Sequence, residues 1–158
     1  MTGSQPKEGQ PAPEFRLPST EGKEISLKDL QGRNVVLYFY PRDDTPGCTK
    51  EACSFRDTLS AFEETDSVIL GVSLDDLKSH EKFRSKHGLP FPLLSDTNGE
   101  VSKAYGVYKK KKLYGREFWG IERTTFIIGK DGVIRRVFPR VKVDGHTEEV
   151  LDFVRENL

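Results

Sequence analysis

Two cysteines are present in 158 residues, and both lie in one short stretch, Pro41-Arg-Asp-Asp-Thr-Pro-Gly-Cys48-Thr-Lys-Glu-Ala-Cys53. The stretch follows directly on Val35-Val-Leu-Tyr-Phe-Tyr40, an unbroken apolar and aromatic run that reads as a buried strand. Thr45-Pro46 then reads as a helix start, because threonine is a good N-cap and proline suits the first helical position. Cys48 would therefore sit in a first turn, where N–H groups have no intrahelical partner and the helix dipole is positive. Such a setting favours the thiolate, which is the nucleophilic form. Gly47 removes bulk beside it, so a small polar substrate could approach the backbone. Cys53 supplies a second thiol with which the first can form a disulfide. Thiol redox chemistry is the leading reading, against a bland one in which Cys48 packs as a small hydrophobe.

The spacing carries a mechanical constraint. Helical geometry puts Cys48 on the same side as Ala52, Phe55 and Leu59, which form a core-facing stripe. Cys53 shares its side with Arg56, Asp57 and Ser60. Five helical residues separate the two Cα atoms by about 8.7 Å, given a rise of about 1.5 Å per residue. A disulfide tolerates at most about 7 Å. If Cys53 resolves an oxidised Cys48, the helix over residues 46–54 must unwind in each cycle; otherwise Cys53 is a spectator.

Around this site the pattern alternates strands with helices. Phe15–Leu17 and Glu24–Leu27 suggest an N-terminal hairpin, after an irregular, proline-containing lead-in over 1–13. A helix follows from Cys48 to about Glu64, then a strand at Val68–Val72 and a polar helix at Asp75–His87 anchored by Leu77 and Phe83. Phe91–Leu94 reads as a short strand and Val101–Tyr105 as a short helix, while 106–120 reads as a basic loop. Thr124–Ile128 and Val133–Val137 form a hairpin about a glycine-containing turn. Thr147–Asn157 closes the chain as a helix with Val150, Leu151, Val154 and Leu158 on one side. The expected fold is α/β, with a central mixed sheet flanked by helices, in a single domain over 1–158.

Bulk properties narrow the function classes. A chain of this length buries about 68–70% of its unfolded surface and needs no disulfide staple. Lysine plus arginine balance aspartate plus glutamate at 25 each, so no global field points to nucleic acid or an anionic membrane. No apolar run approaches a membrane-spanning length. The polar N-terminus lacks the apolar segment of a secretory signal, which points to a reducing, cytoplasmic compartment. There a close cysteine pair is catalytic or metal-binding more often than structural. His80, His87 and His146 are too scattered to complete a zinc site with the two thiols.

Pro41-x-x-x-Thr45-x-x-Cys48 resembles the peroxiredoxin signature, and Tyr38-Phe-Tyr-Pro through Cys53 resembles the peroxiredoxin Q class, also called bacterioferritin comigratory protein. The likeness continues through Gly9-Gln-Pro-Ala-Pro-Glu-Phe15, Tyr114-Gly-Arg-Glu-Phe-Trp-Gly-Ile-Glu-Arg-Thr-Thr-Phe126 and Val141-Lys-Val-Asp-Gly-His146. It implies a thioredoxin-like fold and reduction of hydrogen peroxide and organic hydroperoxides, with thioredoxin or a similar thiol donor as reductant. It implies no metal, flavin or haem, and a monomer. Cys48 would be the peroxidatic nucleophile and Cys53 the resolving cysteine. Arg123 resembles the family's active-site arginine, which holds the thiolate and polarises the peroxide; pattern alone would leave it a solvated strand-end charge. Thr45 would offer its hydroxyl and the Gly47 and Cys48 N–H groups would bind the attacked oxygen, although Thr45 also suits a plain N-cap. Pro41 would shield the thiolate or merely end the strand. Glu51 resembles a residue orienting an arginine, with a solvated first-turn glutamate as the alternative.

Lys109-Lys-Lys-Lys112, flanked by Tyr108 and Tyr114, is the strongest charge run. A solvated loop is the favoured reading, over nucleic-acid contact or, together with Trp119, docking of the reducing partner. Phe118 and Trp119 otherwise read as core or rim aromatics. Two further functions fit a cysteine pair: a general disulfide oxidoreductase, for which the usual Cys-x-x-Cys is lacking, and a redox sensor or holdase.

Overall fold

The structure, a computed structural model, describes residues 5–158. It therefore leaves the first four residues of the expected 1–13 lead-in outside the description. Residues 9–12 of that lead-in are less irregular than expected. They run along the last hairpin, with Pro11 bridging Val133 and the Gly9 amide donating to the Ile134 carbonyl at 2.8 Å.

Strands β1 (Arg16–Pro18) and β2 (Glu24–Ser26) form a small antiparallel hairpin. Then follow β3 (Asn34–Phe39), α1 (Pro46–Glu64), β4 (Ser67–Ser73), α2 (Leu77–His87), β5 (Leu93–Ser95) and α3 (Glu100–Ala104). The chain continues with β6 (Tyr108–Leu113), β7 (Arg116–Ile121), β8 (Thr124–Ile128), β9 (Ile134–Phe138) and α4 (His146–Asn157). The central sheet has the order β5-β4-β3-β8-β9. Strands β3, β4 and β5 run parallel, and β8 and β9 add the antiparallel part. This is the mixed, helix-flanked sheet of a thioredoxin-like fold.

β3 is central and every one of its residues is buried. Its side chains alternate between two cores, as strand geometry requires. Val36 and Tyr38, with Tyr40 just beyond, join Phe55 and Phe62 of α1, Phe83 of α2 and Val150 of α4. Val35, Leu37 and Phe39 face Phe15, Leu17, Ile25, Tyr105 and Val107. A strand clad on both faces explains the absence of polar alternation in this run. Each fully buried phenylalanine contributes about 1.5–3 kcal/mol relative to exposure, so α1 is pinned by Phe55 and Phe62, both 0% exposed. The stacking of Phe55 on Tyr38, with ring centroids 4.9 Å apart, fixes its rotation over β3. Gly71 of β4 lies opposite Tyr38; a Cβ there would fall 2.9 Å from the Tyr38 hydroxyl, so only glycine admits this ring.

Three expectations need correction. Residues 106–120 are not a loop but largely the hairpin β6–β7, a separate two-stranded sheet. Tyr114 and Gly115 both have positive φ, 52° and 78°, as a two-residue turn of the type favoured in hairpins demands. Both faces are polar or wet, so no alternation marks the strands. They are held instead by pairs such as Lys110–Glu117, at 2.7 Å, and the stacked Tyr108–Trp119 rings. Phe118 and Trp119 are correspondingly not core residues, at 44% and 50% exposure. Leu158 is also exposed, because it lies past the last turn of α4, whereas Val150, Leu151 and Val154 are buried.

Candidate active site

β3 ends under α1, and the connecting residues 40–45 turn the chain so that α1 begins above the sheet's end. Pro46 occupies the first helical turn as expected, and Thr45 has the extended backbone of an N-cap, φ −89° and ψ 155°. Its side chain does not cap. The Thr45 hydroxyl donates backwards to the Arg42 carbonyl at 3.0 Å. An N-cap oxygen ordinarily accepts from the second or third amide of the helix. Here those are the amides of Gly47 and Cys48, and Thr45 leaves both uncapped. The start of α1 is an anion-receptive end without its usual plug.

Cys48 is 1% exposed and faces the core with Ala52 and Phe55, while Cys53 is half-buried on a wetter side of the same helix. Both thiols are free. The helix runs unbroken through them, so the spacing that forbids a disulfide in an intact helix applies to this conformation.

Arg123, just before β8, turns inward rather than into solvent, its side chain 16% exposed. Its Nη2 donates to Cys48 Sγ at 3.4 Å and its Nη1 to Glu51 Oε1 at 2.7 Å. The backbone carbonyl of Arg123 accepts the Val141 amide at 2.9 Å, which ties its position to the segment after β9. Gly47 has a role beyond substrate access: a Cβ there would meet Arg123 Nη2 at 3.1 Å. Pro41 is half-buried at the turn out of β3.

Glu51 is not a solvated first-turn residue. It is 1% exposed, and its second oxygen, Oε2, has no hydrogen-bond partner among the described residues. Burial pushes its carboxyl up from 4.5 to about 7, against the opposing pull of Arg123. Burial works against the Arg123 charge as well, but Glu51 and Cys48 outweigh it and raise the guanidinium above its ordinary value. The pair therefore keeps a firm cation beside the sulfur.

Several residues here have surroundings that sequence reasoning did not foresee. The Tyr38 hydroxyl is buried and has no hydrogen-bond partner among the described residues, and its ionisation is pushed well up by burial, then by Glu51 and Cys48. Lys111 of β6 is partly buried, donates to the Ile121 carbonyl two residues before Arg123, and is lowered by burial and then by Arg123. His80, treated as scattered, is fully buried and contacts Asp43 Oδ2 at 2.7 Å. Its signal was its place one turn before Phe83 on the inward stripe of α2, obscured by the helix's polar composition.

A family model described as the AhpC/TSA family matches residues 8–137. The chain belongs to this family, as a peroxiredoxin of the Q/Bcp class. Peroxiredoxins are peroxidases, and the chain is an enzyme of that class. It is 54% identical to a putative peroxiredoxin Bcp of Coxiella burnetii, over 90% of this chain and 95% of the relative. It is 47% identical to peroxiredoxin Bcp of Bacillus subtilis, over 94% of each. Among solved structures it is similar to Xanthomonas campestris peroxiredoxin Q, with a TM-score of 0.87 and 39% identity over 90% of each chain. No helix among the described residues is long and apolar enough to cross a membrane.

Proposed function

We propose that the chain is a two-cysteine thiol peroxidase in which Cys48 attacks and Cys53 resolves. The observation that carries this reading is the Arg123 guanidinium, reaching the Cys48 sulfur at 3.4 Å while Glu51 holds it from behind at 2.7 Å. The Cys48 thiolate attacks one peroxide oxygen, an S–O bond forms and the O–O bond breaks. The electron pair leaves on the other oxygen, which takes a proton to become water or an alcohol. The sulfur is oxidised to sulfenic acid as the peroxide is reduced. Arg123 and the uncapped amides of Gly47 and Cys48 stabilise the developing charge. Thr45 joins them by exchanging its bond to Arg42 for one to the peroxide, and Pro41 screens the sulfur from water.

The Cys53 thiol then gives up its proton and attacks the Cys48 sulfur, forming the S–S bond as the S–O bond breaks, and the departing hydroxide takes up a proton to leave as water. The chain has no other cysteines, so a disulfide within it joins these two and requires the start of α1 to unwind. Thioredoxin or a similar dithiol restores both thiols by exchange, supplying the two electrons. Hydrogen peroxide and organic hydroperoxides are the substrates. The alkyl peroxide reduction activity described for the Xanthomonas campestris bacterioferritin comigratory protein, 39% identical, supports the second of these. The enzyme acts as a cytoplasmic monomer, in keeping with its balanced charge.

Peroxide consumption coupled to thioredoxin, thioredoxin reductase and NADPH tests the reading. The wild type turns over and Cys48→Ser does not. Undiminished turnover by Cys48→Ser would refute it.

A further inference from the structure

A buried polar knot joins the active-site loop to α2. Asp43 Oδ1 accepts the Tyr40 hydroxyl at 2.6 Å, and Oδ2 accepts the Ser79 hydroxyl at 2.8 Å and meets His80 Nδ1 at 2.7 Å. The other His80 nitrogen, Nε2, lies 2.9 Å from the Leu94 carbonyl on β5. A carbonyl cannot donate, so Nε2 carries a hydrogen and donates it to Leu94, while Nδ1 faces Asp43. His80 is thus a rigid strut between β5 and the loop. Asp75 Oδ2 completes the knot by accepting the Asp43 amide at 2.8 Å and the Ser73 hydroxyl at 2.6 Å. Asp43, Asp75 and His80 have the mutual spacing of metal ligands, but the carboxylate oxygens that face His80 and the loop are already engaged in these bonds.

The far end of α2 makes two more attachments. Asp44, at φ 58°, receives Lys86 at 2.8 Å and His87 at 3.2 Å. Arg56 of α1 donates from Nη1 to the His87 carbonyl at 2.6 Å. Asp44 and Arg56 flank residues 45–55, the segment that contains both cysteines. One helix therefore holds both ends of the stretch that has to unwind.

We infer that α2 brackets the unwinding segment, with His80 and Arg56 as positioning residues. Through Asp43, His80 keeps the loop in the shape that presents Cys48 to Arg123. Through His87, Arg56 stops unwinding from spreading down α1. The bracket then sets the balance between two steps: peroxide attack, which needs the wound helix, and disulfide formation, which needs it unwound. This inference rests on the proposed roles of Cys48 and Cys53. A third step competes when unwinding is slow: the sulfenate attacks a second peroxide, gaining another oxygen while that peroxide becomes water or alcohol, and ends as sulfinic acid.

Rapid mixing with hydrogen peroxide, quenching by thiol alkylation and intact-mass analysis resolves the attack and disulfide-forming rate constants separately. His80→Asn is expected to slow attack and speed disulfide formation, each on the order of tenfold, as loss of a buried hydrogen bond implies. Arg56→Ala, on the half-exposed side of α1, leaves the core intact and is expected to speed disulfide formation and reduce sulfinic acid at high peroxide, with Arg56→Lys restoring both in part. A merely structural role would lower both constants together with the folded fraction. Parallel changes, or both constants within about twofold of the wild type in both variants, would overturn the bracket while leaving the cysteine roles standing. Absence of any Cys48–Cys53 disulfide in the wild type would overturn both.

Discussion

The start of α1 and the β6–β7 hairpin both adjoin Arg123, yet they are built in opposite ways. At the start of α1, groups far apart in the chain converge out of solvent: Arg123 lies 75 positions from Cys48 and 72 from Glu51. The hairpin is held by its own strands, with Lys110–Glu117 and Tyr108–Trp119 in the open. In the buried corner each charge is fixed by a partner it cannot replace with water, so a cation can be held against a sulfur. On the outer side of the hairpin water competes for the charges, and pairs such as Lys110–Glu117 are worth little energetically; Lys111, partly buried against the Ile121 carbonyl, is the exception within the run. Density of charge in sequence is thus a poor guide to electrostatic leverage; burial decides it.

Substitutions can break this contrast. Arg123→Ala is expected to lower kcat/KM for peroxide by about 10²–10³, the typical cost of removing one preorganised donor. The protein should still fold, because the stranded Glu51 can relieve its burial by binding a proton; circular dichroism and steady-state kinetics together check this. Loss of activity by less than threefold would remove Arg123 from the chemistry.

Glu51→Gln sharpens the contrast through pH. Below about pH 4.5 the Glu51 carboxyl is protonated in both the unfolded and the folded protein. Between there and about 7 the folded protein keeps the proton that the unfolded chain releases. Its contribution to stability is therefore complete at low pH and is lost as pH rises through 7. The full effect is on the order of 3 kcal/mol. Urea denaturation across this range should show the decline in the wild type and a flatter profile in Glu51→Gln. Lys110→Ala should do least, changing stability by under about 1 kcal/mol and kcat/KM not at all. A large kinetic effect there would mean that the hairpin takes part in turnover.

The same contrast explains what the sequence revealed. Val35–Tyr40 and the stripe Cys48, Ala52, Phe55 and Leu59 carry periodicities that burial enforces, so β3 and the facing of α1 were legible. The hairpin was not, because strands wet on both sides leave no alternation to read. Thr45 is a threonine where a cap is expected, but only coordinates reveal that its hydroxyl turns back to Arg42. Arg123 and Glu51 could be matched by family resemblance but not by pattern, since their pairing is a product of long-range topology. The knot around His80 was hidden for the same reason, a buried histidine in a helix of otherwise polar composition.

The central claim is that Cys48 is oxidised in a wound helix and joined to Cys53 only when that helix unwinds. Peptide mapping by mass spectrometry after one equivalent of hydrogen peroxide, under non-reducing conditions, tests it most directly. The account predicts a Cys48–Cys53 disulfide, with both free thiols lost together. Sulfenic or sulfinic acid at Cys48 beside a Cys53 that remains a free thiol would contradict it.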